Sequence, residues 1–375
     1  MSYATGQCTI NRSMPRRALA IAAGGGGDVV TASIIGAKLR RRFDVVALMS
    51  YSWDRLIVDP VPGPRGRGDF DGLIRHHELV AEVTASTRLR GAGRSTLPPL
   101  IPYLAQPLLL MDPAGGAVGL ANQLRTAAQV FDADALVVVD VGGDILAEGH
   151  EAGLRSPLAD SLTLAAAAAA GVQLYLLVAG IGLDGELTVA ELRALLGRHG
   201  STVAGELGAD DASAVAEVWN WHPSEANGLL CVAAEGWRGT VETQRGAFVR
   251  VDDESTAVYE VDAAGVAAHS MAAELTDTVS LEQVEQRVRK RLGYSDIDIE
   301  RDRLAAGFGV DPPTTVTVDE IDRYAHSASL RGADALTIRR VIELTGAVGA
   351  DGGYAVRELL GRERPRNWRP PLYLV

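Results

Sequence analysis

Lysine is almost missing from this sequence. Of its 36 basic residues only Lys38 and Lys290 are lysines; the rest are arginines. Against them stand 48 acidic residues, giving a formal net charge of −12. No clustered basic surface stands out, which argues against a nucleic-acid partner. The one tight basic run, Arg40–Arg42, falls at an expected helix end, where it complements the helix dipole. Cysteine is as scarce. Cys8 and Cys231 lie far apart, form neither a disulfide framework nor a zinc spacing, and fit a reducing cytoplasm. No GxSxG, HExxH or CxxC occurs, so serine-hydrolase, zincin and thioredoxin chemistry find no support. An uninterrupted membrane-length run is also lacking. Leu162–Leu183 is long and apolar, but Gly171 and Gln173 break it. Arg16-Arg17 followed by ALAIAA is too short for a secretion signal. A cytoplasmic protein without a membrane partner is expected.

What is present is an alternating pattern in 375 residues that are 47% hydrophobic, enough for one large or two fused α/β units. Strands are expected at Arg17–Ala23, Asp44–Ser50, Val80–Thr84, Ala135–Val139 and Val172–Ala179. Helices are expected at Val29–Arg41, Gly115–Phe131, Pro157–Ala170 and Val189–Gly200. Pro60–Gly72 and Leu97–Pro107 carry too many breakers for regular structure. Beyond residue 200 the pattern softens: helices at Ala209–Trp219, Ser224–Gly236 and Leu281–Leu292, a hairpin over Thr240–Arg245 and Ala247–Val251, a strand at Tyr259–Asp262, then helices or short elements at Asp319–His326, Ala335–Thr345 and Gly353–Leu360. Continuous apolar runs alternating with helices imply a Rossmann-like, doubly wound α/β fold: a mainly parallel sheet with helices on both faces. The expected division is a loose 1–15, a ligand-binding half over 16–205, a second α/β half or smaller domain over 206–350, and a tail over 351–375. The tail's last residues, RPRNWRPPLYLV, are too proline-rich for a helix, and their apolar end is suited to pack back on the body or on another subunit.

Three of the apolar runs break into glycine and then aspartate: ALAIAAGGGGDV (Ala18–Val29), ALVVVDVGGDI (Ala135–Ile145) and LYLLVAGIGLDGE (Leu174–Glu186). In an open parallel sheet, ligands bind beyond the carboxyl ends of the strands. Glycine there allows tight turns and close backbone approach, and a helix starting at once adds anion-binding N–H groups. Gly24, Gly25, Gly26 and Gly27 before the helix at Val29 have this form, so a phosphate is expected there. The loop is neither a complete GxGxxG nor a Walker loop, and strand-to-helix packing explains it equally. Gly142, Gly143 and Gly182 are the matching glycines of the other two turns. Asp28, Asp140, Asp144 and Asp184 form the next layer. Carboxylates converging on one edge repel unless a cation or a hydroxyl-rich ligand joins them. Mg²⁺ on Asp144 and Asp184, with Asp140 and Asp144 catalytic, is one reading. Helix caps and turn closure are the other.

Trp219–Glu225, WNWHPSE, places His222 between two tryptophans. That is either a catalytic histidine beside a stacking surface or ordinary packing. His76-His77 is a second histidine candidate, poorly suited to sharing one metal. Ser156 and Asp160 already read as capping residues of the helix that follows. Asp140-Val-Gly-Gly also parallels the first phosphate loop of actin-like sugar kinases, but it lies mid-chain rather than opening a domain.

AGGGGDVVTAS, DVGGD with SPLADS, GLDGELT, and Glu225 with the Arg238–Glu242 block together resemble the domain-of-unknown-function family number 1152 over roughly residues 15–345. The resemblance implies an α/β fold and a cytoplasmic protein. It implies no reaction and transfers no catalytic residue. The residues themselves point to an enzyme of small-molecule metabolism. It would act on a nucleotide, nucleoside or phosphosugar by group transfer or hydrolysis, with an aspartate as general base or metal ligand. A non-catalytic ligand-binding protein, or a structural subunit of a biosynthetic complex, is the alternative. The expected partner is an anionic or sugar-containing small molecule, and a homo-oligomer is compatible with each reading.

Overall fold

A computed structural model describes residues 14–308 and 316–375 of the chain. Most of the expected loose N-terminus, with Cys8, lies outside the described residues. Five parallel strands form the centre: β1 (Arg16–Ala22), β2 (Phe43–Ser50), β3 (Leu108–Leu110), β4 (Ala135–Val141) and β5 (Gln173–Ala179). Their spatial order is β5-β4-β1-β2-β3, all pairs parallel. This is the Rossmann arrangement, with the strand order reversing beside β1. Antiparallel strands extend both edges: Ala257–Val261 and Thr202–Glu206 beyond β5, Ala81–Val83 and Ile74–Arg75 beyond β3.

The strands read as solid apolar runs because both faces are buried. In β1 the alanines Ala18, Ala20 and Ala22 face one core, and Leu19 and Ile21 face the other. Helix α1 (Asp28–Lys38) covers the alanine face, where small side chains let it approach closely. The opposite face is covered by α2 (Gly116–Val130), α3 (Leu158–Ala169) and α4 (Val189–Arg198). Helix α5 (Glu225–Ala234) completes the α1 side. Then come α6 (Leu281–Leu292) and α7 (Asp296–Ala305).

A second, five-stranded sheet has the order Phe248–Val251, Gly239–Glu242, Ala335–Thr337, Leu372–Leu374, Trp368–Arg369. Helices α8 (Val318–Leu330), α9 (Ile338–Thr345) and α10 (Ala350–Glu363) pack against it through Ile321, Val341, Ile342, Val356 and Leu360. The tail packs back on the body, with Leu372 and Tyr373 fully buried.

Several expectations are corrected. Ala335–Thr345, expected as a helix or short element, divides into two: its first three residues are a buried strand, and Thr337 then caps α9 by accepting from the Arg340 N–H. Ala209–Trp219 breaks into a short helix, Ala209–Ser213, and a 3₁₀ turn, Ala216–Asn220. Leu97–Pro107 holds helical turns at Leu97–Leu100 and Ile101–Tyr103. Helix α7 was not expected, since DIDIERDRLA has little apolar periodicity. Its visible signal was the capping box of Ser295 and Asp298. Among the described residues no helix is long and apolar enough to cross a membrane.

Candidate acidic site at the strand ends

The turn from β1 into α1 is where the sheet order reverses, beside the end of β4. The Gly24 N–H donates to Asp28 Oδ2 at 2.9 Å, so the nearest anion to the glycine loop is the chain's own. A Cβ at Gly24 would lie 2.7 Å from Asp28 Oδ2 and 3.0 Å from Asp160 Oδ1. Glycine is therefore required there to admit two carboxylates. A Cβ at Gly27 would lie 2.5 Å from Ser224 Cβ, which makes that glycine a contact between the loop and the start of α5. Asp28 Oδ1 accepts from Asn227 Nδ2 at 2.7 Å, and Asn227 Oδ1 in turn accepts from Thr31 Oγ1. Asp28 is thus held from both sides.

At the end of β4, Asp140 Oδ2 accepts the Gly143 N–H at 2.9 Å across a turn whose glycines have φ of 127° (Gly142) and 104° (Gly143). Asp144 opens the 3₁₀ turn Asp144–Leu146. Asp160 arrives from the first turn of α3. One oxygen from each of Asp140, Asp144 and Asp160 lies within 4.8 Å of the others, and all three residues are buried. Asp184 crowds the same turn: a Cβ on Gly142 would collide with its Oδ2. Gly182 does not line the cavity. Its N–H donates to the Gly142 carbonyl at 2.7 Å, tying the two glycine turns together.

Asp160 is the residue that sequence reasoning missed. It was read as a cap, but α3 begins at Leu158 without a side-chain cap. Ser156 is no cap either; its hydroxyl donates to Glu186. The available signal was position: the first turn of the helix following β4 lies at the same sheet edge as the other aspartates.

So many buried carboxylates cannot all ionise together. Burial pushes Asp28 up to about 6, against the lowering effect of Asn227 and the Gly24 N–H. Burial and then the charge of Asp28 push Asp140 up to about 8. Asp144, Asp160 and Asp184 lie well above the ordinary carboxylate range, first through burial. Next come the charges of Asp160 on Asp144, Asp140 on Asp160, and Glu186 on Asp184. Oxygen ligands in this number suit a hard divalent cation, which would discharge the cluster.

The cavity opens from these aspartates between α7, the start of α5, the turn at Gln244–Arg245 and α9. Arg55 reaches into it. Its guanidinium lies 3.8 Å from the Trp53 ring centre and 3.4 Å from Glu300 Oε1. Glu300 also accepts the Trp53 Nε1–H at 3.0 Å and the Gly63 N–H at 2.7 Å. Asp296 is 2% exposed and lines the cavity; Arg55 Nη2 lies 3.7 Å from its Oδ1, yet neither carboxylate oxygen has a hydrogen-bond partner. Buried polar groups are ordinarily paired, so an unpaired one facing a cavity marks a place for a ligand.

The structure does not bring His222 to this cavity. The imidazole is 3% exposed, and the Trp219 and Trp221 rings meet it edge-on at 6.1 and 5.3 Å. Its Nδ1 accepts the Ser224 N–H at 3.2 Å. Burial, then the charges of Arg357 and Arg339, push it down to about 3, so it is neutral in the fold. The unfolded chain protonates this group near 6.5. Its contribution is therefore present above that pH and is lost as pH falls toward 3. The stability difference between wild type and His222→Gln should shrink by up to about 2 kcal/mol between pH 6.5 and 5. Urea unfolding at the two pH values measures it; a constant difference would show that His222 titrates normally. His76 is likewise remote, on the sheet edge and paired with Glu82 at 2.6 Å.

A Rossmann-like α/β protein with a carboxylate-lined cavity at the point of strand reversal is thus defined. Residues 19–304 match the family described as protein of unknown function (DUF1152), and the chain belongs to that family. The matched span contains all five aspartates of the cavity floor. No curated protein and no solved structure matches.

Proposed function

We propose that this protein is a Mg²⁺-dependent enzyme that transfers or hydrolyses a group on a nucleotide, nucleoside or phosphosugar. The observation that carries the proposal is the buried convergence of Asp140, Asp144 and Asp160 at the strand-reversal point. Those three hold the cation, with Asp184 beside them. Mg²⁺ held there would neutralise the cluster and supply a Lewis acid to an oxygen of the reacting group. Asp28 is the general base: it faces the cavity, is held by Asn227 and the Gly24 N–H, and sits near 6, close to working pH. Since Asp28 occupies the first N–H of the glycine loop, the substrate's own anion has to find donors further out.

The test is thermal unfolding with nucleotides, nucleosides and phosphosugars, each with and without Mg²⁺. Mg²⁺ alone should raise the melting temperature. One ligand class at ~100 times its dissociation constant should add about 2.7 kcal/mol in its presence. Failure of Mg²⁺ to stabilise the protein or to give heat in titration calorimetry would overturn the proposal.

A further inference from the structure

Among the described residues three non-glycine residues have left-handed backbone, Arg55 (φ 54°), Asp132 (φ 51°) and Arg245 (φ 61°). Two of the three are arginines lining the same cavity. Left-handed backbone is unfavourable for a side-chain-bearing residue and persists at functional sites where surrounding structure enforces it. Arg245 sits in the turn between Gly239–Glu242 and Phe248–Val251, the kind of position where glycine is the unstrained residue. What arginine adds there is its guanidinium.

Arg245 has company. Arg55, Arg303 and Arg339 are near enough that their charges act on it, and Arg339 acts on Arg303 as well. Three of these four have carboxylate partners: Glu300 on Arg55 at 3.4 Å, Glu343 on Arg303 at 3.3 Å, and Glu225 on Arg339 at 3.8 Å. The last is beyond hydrogen-bond distance, and Arg339 Nε, the atom of that pair, is buried without a hydrogen-bond partner. Among the described residues the Arg245 side chain makes no ion pair with a carboxylate, though the charge of Glu186 acts on it; its backbone N–H meets Glu343 at 3.0 Å. The start of α5, Ser224–Asn227, lines the same wall, and Ser224 provides no side-chain cap. Gathered guanidinium groups, an unpaired N–H and an uncapped ten-residue helix all call for an anion with several acceptor oxygens.

We infer that the mouth of the cavity is a phosphate subsite, in which Arg245 and Arg339 grip the phosphate of the substrate while its reacting end faces the aspartates. This deepens the proposed function and rests on reading the cavity as a substrate site. It assigns the phosphate to arginines of the second sheet and its helices, not to the glycine loop after β1. One guanidinium fork fits a carboxylate as well as a phosphate, but a phosphate has oxygens enough to meet two forks at once, whereas acetate fills only one.

The probes are inorganic phosphate and, at matched ionic strength, acetate. The variant is Arg245→Gly, which removes the guanidinium at a position where glycine adopts the backbone without strain. Phosphate should raise the melting temperature of the wild type, and acetate should not. Arg245→Gly should melt at or above the wild-type temperature and bind phosphate at least tenfold more weakly by calorimetry. Arg245→Lys, which keeps the charge and loses the fork, should fall between. Equal phosphate affinity in wild type and Arg245→Gly overturns the inference, as does an equal response to acetate or no wild-type response to phosphate. The Mg²⁺ response is read separately on both proteins. If it is missing while the phosphate response stands, the metal reading fails and this one survives.

Discussion

Asp144→Asn and Asp160→Asn should each abolish the Mg²⁺-dependent rise in melting temperature, yet melt higher than the wild type in metal-free buffer near pH 8. The two effects share one cause. Each carboxylate is buried and faces other buried carboxylates, so each raises the free energy of the empty fold. Asparagine has nearly the same shape and no charge, so it relieves the repulsion and removes a ligand. A Lewis-acidic cation supplies several kcal/mol to the transition state, and each 1.36 kcal/mol is tenfold in rate, so turnover should fall by roughly 100-fold or more. Asp140 is the poorer choice for substitution because it also anchors the Gly143 turn. An Asp144→Asn protein that binds Mg²⁺ like the wild type would end the metal assignment. One that is less stable than the wild type in chelator would show that the carboxylates pair favourably.

The second large effect is on pH. Asp140 is pushed from 3.8 up to about 8, and Asp144, Asp160 and Asp184 also lie well above their ordinary range. The fold holds protons that the unfolded chain has released, so their stabilising effect is complete below the unfolded value and is lost as pH rises through the folded one. Below pH 6.5 the neutral His222 works in the opposite direction. The clean window is therefore pH 6.5 to 8.5. Each group contributes a slope of at most about 1.36 kcal/mol per pH unit there, and the melting temperature in chelator should drop by about 5 °C or more. Saturating Mg²⁺ should flatten or reverse the slope, since the cation displaces the protons. A melting temperature constant across the window, without metal, would mean that the cluster ionises freely.

Four of the five parallel strands were legible because buried strands leave an unmistakable mark, LAIA, VVALM, ALVVV and LYLLV admitting no exposed face; Leu108–Leu110, three residues behind a proline-rich stretch, was too short to show it. The glycine-aspartate turns were legible for the related reason that such strands end abruptly. Asp160 was not, because an acidic residue in a first helical turn reads as a cap whether or not it faces a cavity. Arg55 and Arg245 left no signal at all: each stands in a short turn without periodicity, and only the backbone angle reveals the constraint. Helix α7 was hidden by its charge density. WNWHPSE drew attention by residue type, but burial, which decides between a working histidine and a packed one, depends on what packs against the segment in the fold, and the charges that act on His222 come from the distant Arg357 and Arg339.

The sorting of charge along the cavity has a directional consequence. Carboxylates, with Arg55 beside them, line the end of the Rossmann strands, whereas toward the second sheet the wall carries Arg245, Arg303 and Arg339 interleaved with carboxylates. With a phosphate held by Arg245 and Arg339, as inferred above, the end of the molecule that reaches the aspartates would be the neutral or cationic one. If the proposed metal and phosphate sites are both used, a substrate with a second anionic group would need the ion in place first, and ion would precede substrate in the order of binding.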